Sequence, residues 1–292
     1  MTALNEIELS AGTIRYRDQG SGPPLVFIHG LLVDGTLWGD VISRLEGRFR
    51  CISPDWPFGS HLIPTDPEAE LSSRSVAHLV AEFLERLELE EVTIVANDSG
   101  GVIAQLLVVE RPERIERLVL TPCDAFENFL PPRFKSLWYL GRVPGALALA
   151  LQAVRIPRLQ RLQMAFGGVV KHPVPPEVAE SWLRPTRTSR AIRRDTKRFI
   201  RSMHKRDTLY AAERLGSFTR PVLLAWATED QVFPFAHAQR LARIFPDARL
   251  AAIDDSYAFV PCDQPAQLAE LIEEFAAGSP TEAESSGVPV VA

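Results

Sequence analysis

One short stretch concentrates the residues able to do covalent chemistry: Val92-Thr-Ile-Val-Ala-Asn-Asp98-Ser-Gly-Gly-Val102. An apolar run leads straight into Asp98 and Ser99, and two glycines follow before apolar residues resume. Where a strand turns sharply into a helix, the residue at the bend is thrust outward. Small residues two positions to either side keep that bend from colliding with its neighbours. Ala96 and Gly100 bracket Asp98 in this way; one residue later, Asn97 and Gly101 bracket Ser99. The bend should follow the apolar strand directly, which favours Asp98 as the apex. A carboxylate there can displace a leaving group from an sp3 carbon, forming an alkyl ester, or it can take a proton.

Other groups could assist it. Asp230 ends the stretch Ala227-Thr-Glu-Asp230, just past the apolar run Pro221–Ala227; it could equally cap a helix starting near Pro234. His61 lies in Pro57-Phe-Gly-Ser-His61, a loop after the run that ends at Pro54-Asp55. Loops of that kind line the carboxyl edge of a doubly wound sheet, where ligands bind. His61 is therefore the expected general base, with a backbone-bonding loop histidine as the alternative. Asp124 reads as a loop residue, His29 as a residue that fixes its own loop, and Asn97 and Gln105 as structural. His78, His172, His204 and His237 fit helix or loop surfaces.

The elements that must position these groups follow from the pattern of apolar runs. Glu6–Leu9 and Thr13–Arg17 flank the turn Ser10-Ala-Gly12 and read as paired strands. Short apolar runs without alternation recur at Pro24–His29, Arg50–Ser53, Val92–Ala96, Arg117–Leu120, Pro221–Ala227 and Ala248–Ile253. Such runs suit parallel strands buried on both faces. Helical periodicity separates them at Ser75–Leu87, Val102–Glu110, Phe235–Ile244 and Pro265–Phe275. The alternation predicts a doubly wound, mostly parallel α/β sheet. Residues 125–207 break the rhythm with repeated prolines and no convincing strand. They are read as a helical cap inserted into a core of residues 1–124 and 208–278, with 279–292 as a solvated tail.

Composition narrows the function. The 292 residues are 46% hydrophobic and 24% charged, with a formal net charge of −5. That is an ordinary globular balance, long enough for one large domain with an insertion. From Arg133 to Arg206 there are 17 Lys/Arg against 3 Asp/Glu, so the middle is strongly basic and the rest strongly acidic. Nucleic acid binding is not expected, because the rest is acidic and no aromatic–basic interleaving recurs. The run Arg187, Arg190, Arg193, Arg194, Lys197, Arg198, Arg201 reads as the solvated face of a helix, open to weak contact with an anionic membrane surface. No apolar run is long enough to span a bilayer. The N-terminus lacks a secretion-signal pattern, and Cys51, Cys123 and Cys262 are scattered, which suits reduced thiols in the cytoplasm and no zinc site.

Taken together, these landmarks resemble the α/β-hydrolase superfamily, in the capped branch that includes haloalkane dehalogenases and epoxide hydrolases. The matching residues are His29-Gly30 after the third strand, the bend at Asp98, Ala-Thr-Glu-Asp230, and the segment Ile253–Pro265. The resemblance implies Asp98 as nucleophile, the backbone N–H groups of Leu31 and Ser99 as an oxyanion hole, Asp230 as the acid, and no cofactor; Asp124 is the acid position of some capped relatives and is read here as a loop residue at the start of the cap. It also implies a catalytic histidine just before an aromatic residue in the last loop. This chain has Ala258-Phe259 there, and no histidine beyond His237. Two further departures concern the reaction. Ser99 stands where dehalogenases carry a halide-binding Trp, and Leu32 where epoxide hydrolases carry Pro; of the two cap tyrosines that protonate an epoxide, only Tyr139 and Tyr210 are available as candidates. The expected substrate is a small-to-medium apolar molecule, held under the apolar segment Ala146–Val154 with Leu159, Leu162 and Met164.

Overall fold

A computed structural model describes residues 4–277; the expected tail at 279–292 lies outside them. Eight strands form one sheet: β1 (Leu4–Leu9), β2 (Gly12–Gln19), β3 (Pro24–Ile28), β4 (Arg50–Pro54), β5 (Val92–Asp98), β6 (Ile115–Cys123), β7 (Val222–Ala227) and β8 (Ala248–Ile253). Their spatial order is β1-β2-β4-β3-β5-β6-β7-β8. The β1–β2 and β2–β4 pairs are antiparallel and the rest parallel. The expected α/β class is therefore the observed one. The central strands β3 and β5 are buried almost end to end, as their unbroken apolar sequences require.

The helices are α1 (Gly39–Leu45), α2 (Ser73–Arg86), α3 (Ser99–Glu110), α4 (Lys135–Leu140), α5 (Ala146–Ala153), α6 (Pro157–Gln160), α7 (Pro176–Thr188), α8 (Arg190–Ser202), α9 (Lys205–Ala212), α10 (Phe235–Ile244), α11 (Val260–Asp263) and α12 (Pro265–Ala276). The short α1 has no clear apolar stripe in sequence and is not among the expected helices. Helix α3 starts at Ser99, three residues before the expected Val102, because its first turn is the bend itself. Residues Ser99–Val108 of α3 are all buried, so it is a core helix apolar on every side. Between β6 and β7 the chain forms α4–α9 and no named strand among the described residues. No described helix is long and apolar enough to cross a membrane.

The arginine run of α8 departs from the expected solvated face. Arg193 donates to the carbonyls of Thr186 and Arg187, and Arg201 to Gly141. Arg194 donates to Thr65 O at 2.7 Å, and Arg198 to the carbonyls of Asp66, Pro67 and Ala69. Guanidinium groups present several donors in a fixed fork, which suits them to gathering the loose carbonyls of a loop. Arg194 and Arg198 thus tie the helical insertion to the loop at residues 65–69, while Arg193 and Arg201 bond within the insertion.

Candidate active site

The bend between β5 and α3 is built by exclusion of side chains. Asp98 has φ 54° and ψ −131°, a backbone conformation that costs free energy for any residue with a Cβ. A Cβ on Gly30 would lie 2.5 Å from the Asp98 Cβ, and one on Gly100 2.4 Å from the carbonyl oxygen of Ile28. Both distances are too short for real atoms, so glycine at 30 and 100 lets β3, the bend and α3 close on one another. The small residues flanking Asp98 thus serve the purpose expected of them.

The Asp98 carboxylate is partly accessible and meets a defined set of donors. Its Oδ1 accepts from the backbone N–H of Ser99 and from Ser99 Oγ at 2.7 Å. The backbone N–H of Leu31 also donates to this carboxylate. Burial pushes the Asp98 pKa up, while the bonds from Ser99 and Leu31 pull it back toward the charged form. Both backbone groups expected around the bend therefore face the same carboxylate, with the two bonds from Ser99 falling on Oδ1.

Above Asp98 lies a chamber of about 350 Å³. Its walls are almost wholly apolar; Asp98, Ser99 and Ser136 are the lining residues with polar side chains, and Asp98 is the only titratable one. Ala150, Val154, Leu159, Leu162 and Met164 contribute to the wall, as the apolar segment of the insertion suggested. Among the described residues, no tryptophan or tyrosine lines it. Tyr139 is 64% exposed, and Tyr210 is covered by Arg74 and Arg214, so neither candidate tyrosine faces the chamber.

Two further carboxyl groups are buried near the bend. Asp230 Oδ1 accepts from Val232 N at 2.7 Å, while its Oδ2 has no partner among the described residues. Burial raises the Asp230 pKa to about 7, against the pull of bonds from Val232 and Phe233 and with a smaller upward push from the Asp98 charge. Asp124 is completely buried and neither of its oxygens has a described partner. Burial, with the Asp98 charge in second place, raises its pKa well above the ordinary value. The sequence offers Asp124 as an alternative acid position, with the loop reading preferred to it; the structure buries the side chain instead of exposing it in a loop.

The structure does not bring His61 to this chamber. Its Nδ1 accepts from Gly59 N at 3.3 Å, and its Nε2 faces Asp195 Oδ2 on α8 at 3.4 Å. Burial opposes the Asp195 charge, yet bonds from His61, Thr65 and Arg194 hold its pKa below the usual carboxylate value. His61 therefore pins the core loop to the insertion, and the expected general base is corrected to a packing and hydrogen-bonding residue. Its ring faces Asp195 of α8, a partner that lies far away in sequence. His29 bonds through Nδ1 to Gly30 O and through Nε2 to Trp56 N, both at 2.9 Å, with burial lowering its pKa to about 4. Among the described residues, no histidine nitrogen lies within hydrogen-bond distance of the Asp98 carboxylate.

Ala258 is buried, and its carbonyl accepts from Asn97 Nδ2 at 2.8 Å. The same nitrogen reaches Thr121 Oγ1 and Pro122 O. The residue just before Asp98 thus ties the last loop to the end of β6, and Phe259 of that loop closes the chamber wall.

Comparison with known proteins agrees with this architecture. The profile of the alpha/beta hydrolase fold matches residues 23–265. The chain is 28% identical to haloalkane dehalogenase 2 of Mycobacterium tuberculosis over 275 residues, covering 91% of this chain and 92% of that protein. It is 28% identical to a cis-3-alkyl-4-alkyloxetan-2-one decarboxylase of Shewanella oneidensis over 234 residues, covering 75% and 71%. The structure of the epoxide hydrolase CorEH superposes with a TM-score of 0.78 at 20% identity, covering 95% of this chain and 99% of that one. The family match spans most of the sequence, and the chain belongs to the α/β hydrolase fold family.

Proposed function

We propose that this chain is a hydrolase that attacks a small, largely apolar molecule with the Asp98 carboxylate, beneath the α4–α8 insertion acting as a cap. The observation that carries this reading is the placement of Asp98 as the sole titratable side chain among the described residues lining an apolar chamber, its Oδ1 held by Ser99. A lone pair of Oδ2 forms a bond to an sp3 carbon of the substrate as the carbon–leaving-group bond breaks. The leaving group departs with its electron pair, and an alkyl ester remains on Asp98. Water then adds to the Asp98 carboxyl carbon. The developing oxyanion on Oδ1 meets the N–H groups of Leu31 and Ser99, and the alcohol leaves.

The second step needs a base. Asp230 is the proposed acceptor of the water proton, through its free Oδ2 and bridging water. While Asp98 is charged it helps to hold Asp230 neutral. Esterification removes that charge, so Asp230 ionises more readily once there is an ester to open. A carboxylate acting through water is a weaker arrangement than a directly placed imidazole, so ester opening is the slow half of the reaction.

A second reading rests on the absence of a histidine at Asp98: a protein that binds its ligand in the chamber without turnover. Incubation with a primary bromoalkane or a terminal epoxide, followed by intact-mass spectrometry and product assay, separates the two. An adduct or an alcohol product that Asp98→Asn abolishes supports the hydrolase. Saturable binding with neither adduct nor product contradicts it and supports the binding protein.

A further inference from the structure

The chamber wall reaches the outer surface at Leu162 and Met164, within a segment unusually rich in exposed apolar side chains. Of the eight large hydrophobic side chains described as exposed, six fall between residues 139 and 164: Tyr139, Val143, Leu149, Ile156, Leu162 and Met164. Leu149 is 74% exposed and Met164 60%. Leu162 and Met164 are at once exposed and part of the chamber lining. Residues 139–164 contain four arginines, Arg142, Arg155, Arg158 and Arg161, and no Asp or Glu. All four are exposed. Four of the five arginines of α8, Arg193, Arg194, Arg198 and Arg201, donate to backbone carbonyls, so they do not supply the cationic surface expected of them. The cationic apolar face is carried by α4–α6 and the turns around them.

We propose that this face docks on an anionic lipid surface and turns the chamber mouth toward the bilayer, so that an apolar ligand passes between lipid and chamber without crossing water. Three features choose a lipid surface over other occupants. Apolar side chains interspersed with arginines match the apolar-plus-anionic chemistry of a headgroup boundary. The segment 139–164 carries no acidic residue, Arg155 alone of its arginines pairing with a carboxylate among the described residues, that of Glu180, whereas the chain outside the basic middle is strongly acidic, so an anionic surface orients the molecule with this face inward. The apolar surface is also continuous with the ligand chamber through Leu162 and Met164, as transfer from lipid requires.

This proposal takes its ligand chamber from the function proposed above, but its test does not depend on catalysis. The full chain is sedimented with vesicles of phosphatidylcholine alone and with vesicles rich in phosphatidylglycerol. The protein is expected to pellet with the anionic vesicles and to be released as salt is raised. Leu149 and Ile156 lie outside the chamber lining, so Leu149→Glu/Ile156→Glu is expected to weaken binding about tenfold or more while leaving the melting temperature unchanged. Arg158→Gln/Arg161→Gln is expected to weaken binding and flatten its salt dependence. Asp98→Asn is expected to bind vesicles as the unaltered protein does, so failure of the catalytic reading leaves this result intact. Absence of binding to anionic vesicles at low salt overturns the proposal, as does binding that both double variants retain. Self-association in sedimentation velocity that Leu149→Glu abolishes, without vesicle binding, overturns it in favour of a contact between two copies.

Discussion

Asp98 carries two constraints at once: an uncommon backbone conformation and a partly buried negative charge. Each is sustained by named neighbours. Gly30→Ala or Gly100→Ala would place a methyl group inside occupied space, with a cost of about 1–3 kcal/mol in chemical denaturation and loss of the Asp98 geometry. Asp230 supplies a separate prediction through its titration. In the unfolded chain it ionises near 3.8, and in the folded chain near 7. Its contribution to stability is present below about pH 4 and is lost as pH rises through 7. Asp230→Asn should therefore flatten the decline in stability between pH 4 and 7, by about 1–4 kcal/mol, in denaturant midpoints measured across that range. At this scale Asp98 was legible in sequence because its chemistry is local: strand, small residue, acid, glycine. His61 was not, because a loop histidine's partner depends on which helix covers it, and Asp195 lies 134 positions away.

Strand and helix ends place these residues, and here long-range hydrogen bonds do what local sequence does not announce. Asn97 joins β5 to the end of β6 and to the loop of Ala258 through one side-chain nitrogen. Asn97→Ala removes all three bonds and leaves buried acceptors unpaired, so a loss of about 2–3 kcal/mol is expected, with faster amide exchange in residues 256–260. Arg198 gathers three carbonyls of the loop at 66–69. Arg198→Gln should make that loop more open to limited proteolysis while leaving the sheet intact. The strands themselves were legible because unbroken apolar runs have one good use, burial on both faces. The short α1 and the true start of α3 were not: the first lacks an apolar stripe, and the second begins with residues that read as a turn until the bend is seen.

Across the whole molecule, charge and apolar surface are segregated along the chain. The acidic core holds the sheet and the bend, and the basic insertion roofs the chamber. That division was visible in the count of Lys and Arg between residues 133 and 206. The use of those charges was not visible, because periodicity shows which face of a helix is polar but not what meets it. Half of the arginine story is internal clamping, and the open cationic face belongs to a segment whose sequence reads chiefly as apolar.

The covalent role proposed for Asp98 has one direct measurement. The chain is incubated in heavy-oxygen water with a primary bromoalkane, and the peptide containing Asp98 is weighed by mass spectrometry. The account predicts that this peptide gains either the alkyl group, as the unopened ester, or heavy oxygen, as water attacks the carboxyl carbon. An Asp98 peptide of unchanged mass, beside an alcohol that takes its oxygen from the solvent in the first turnover, would contradict it.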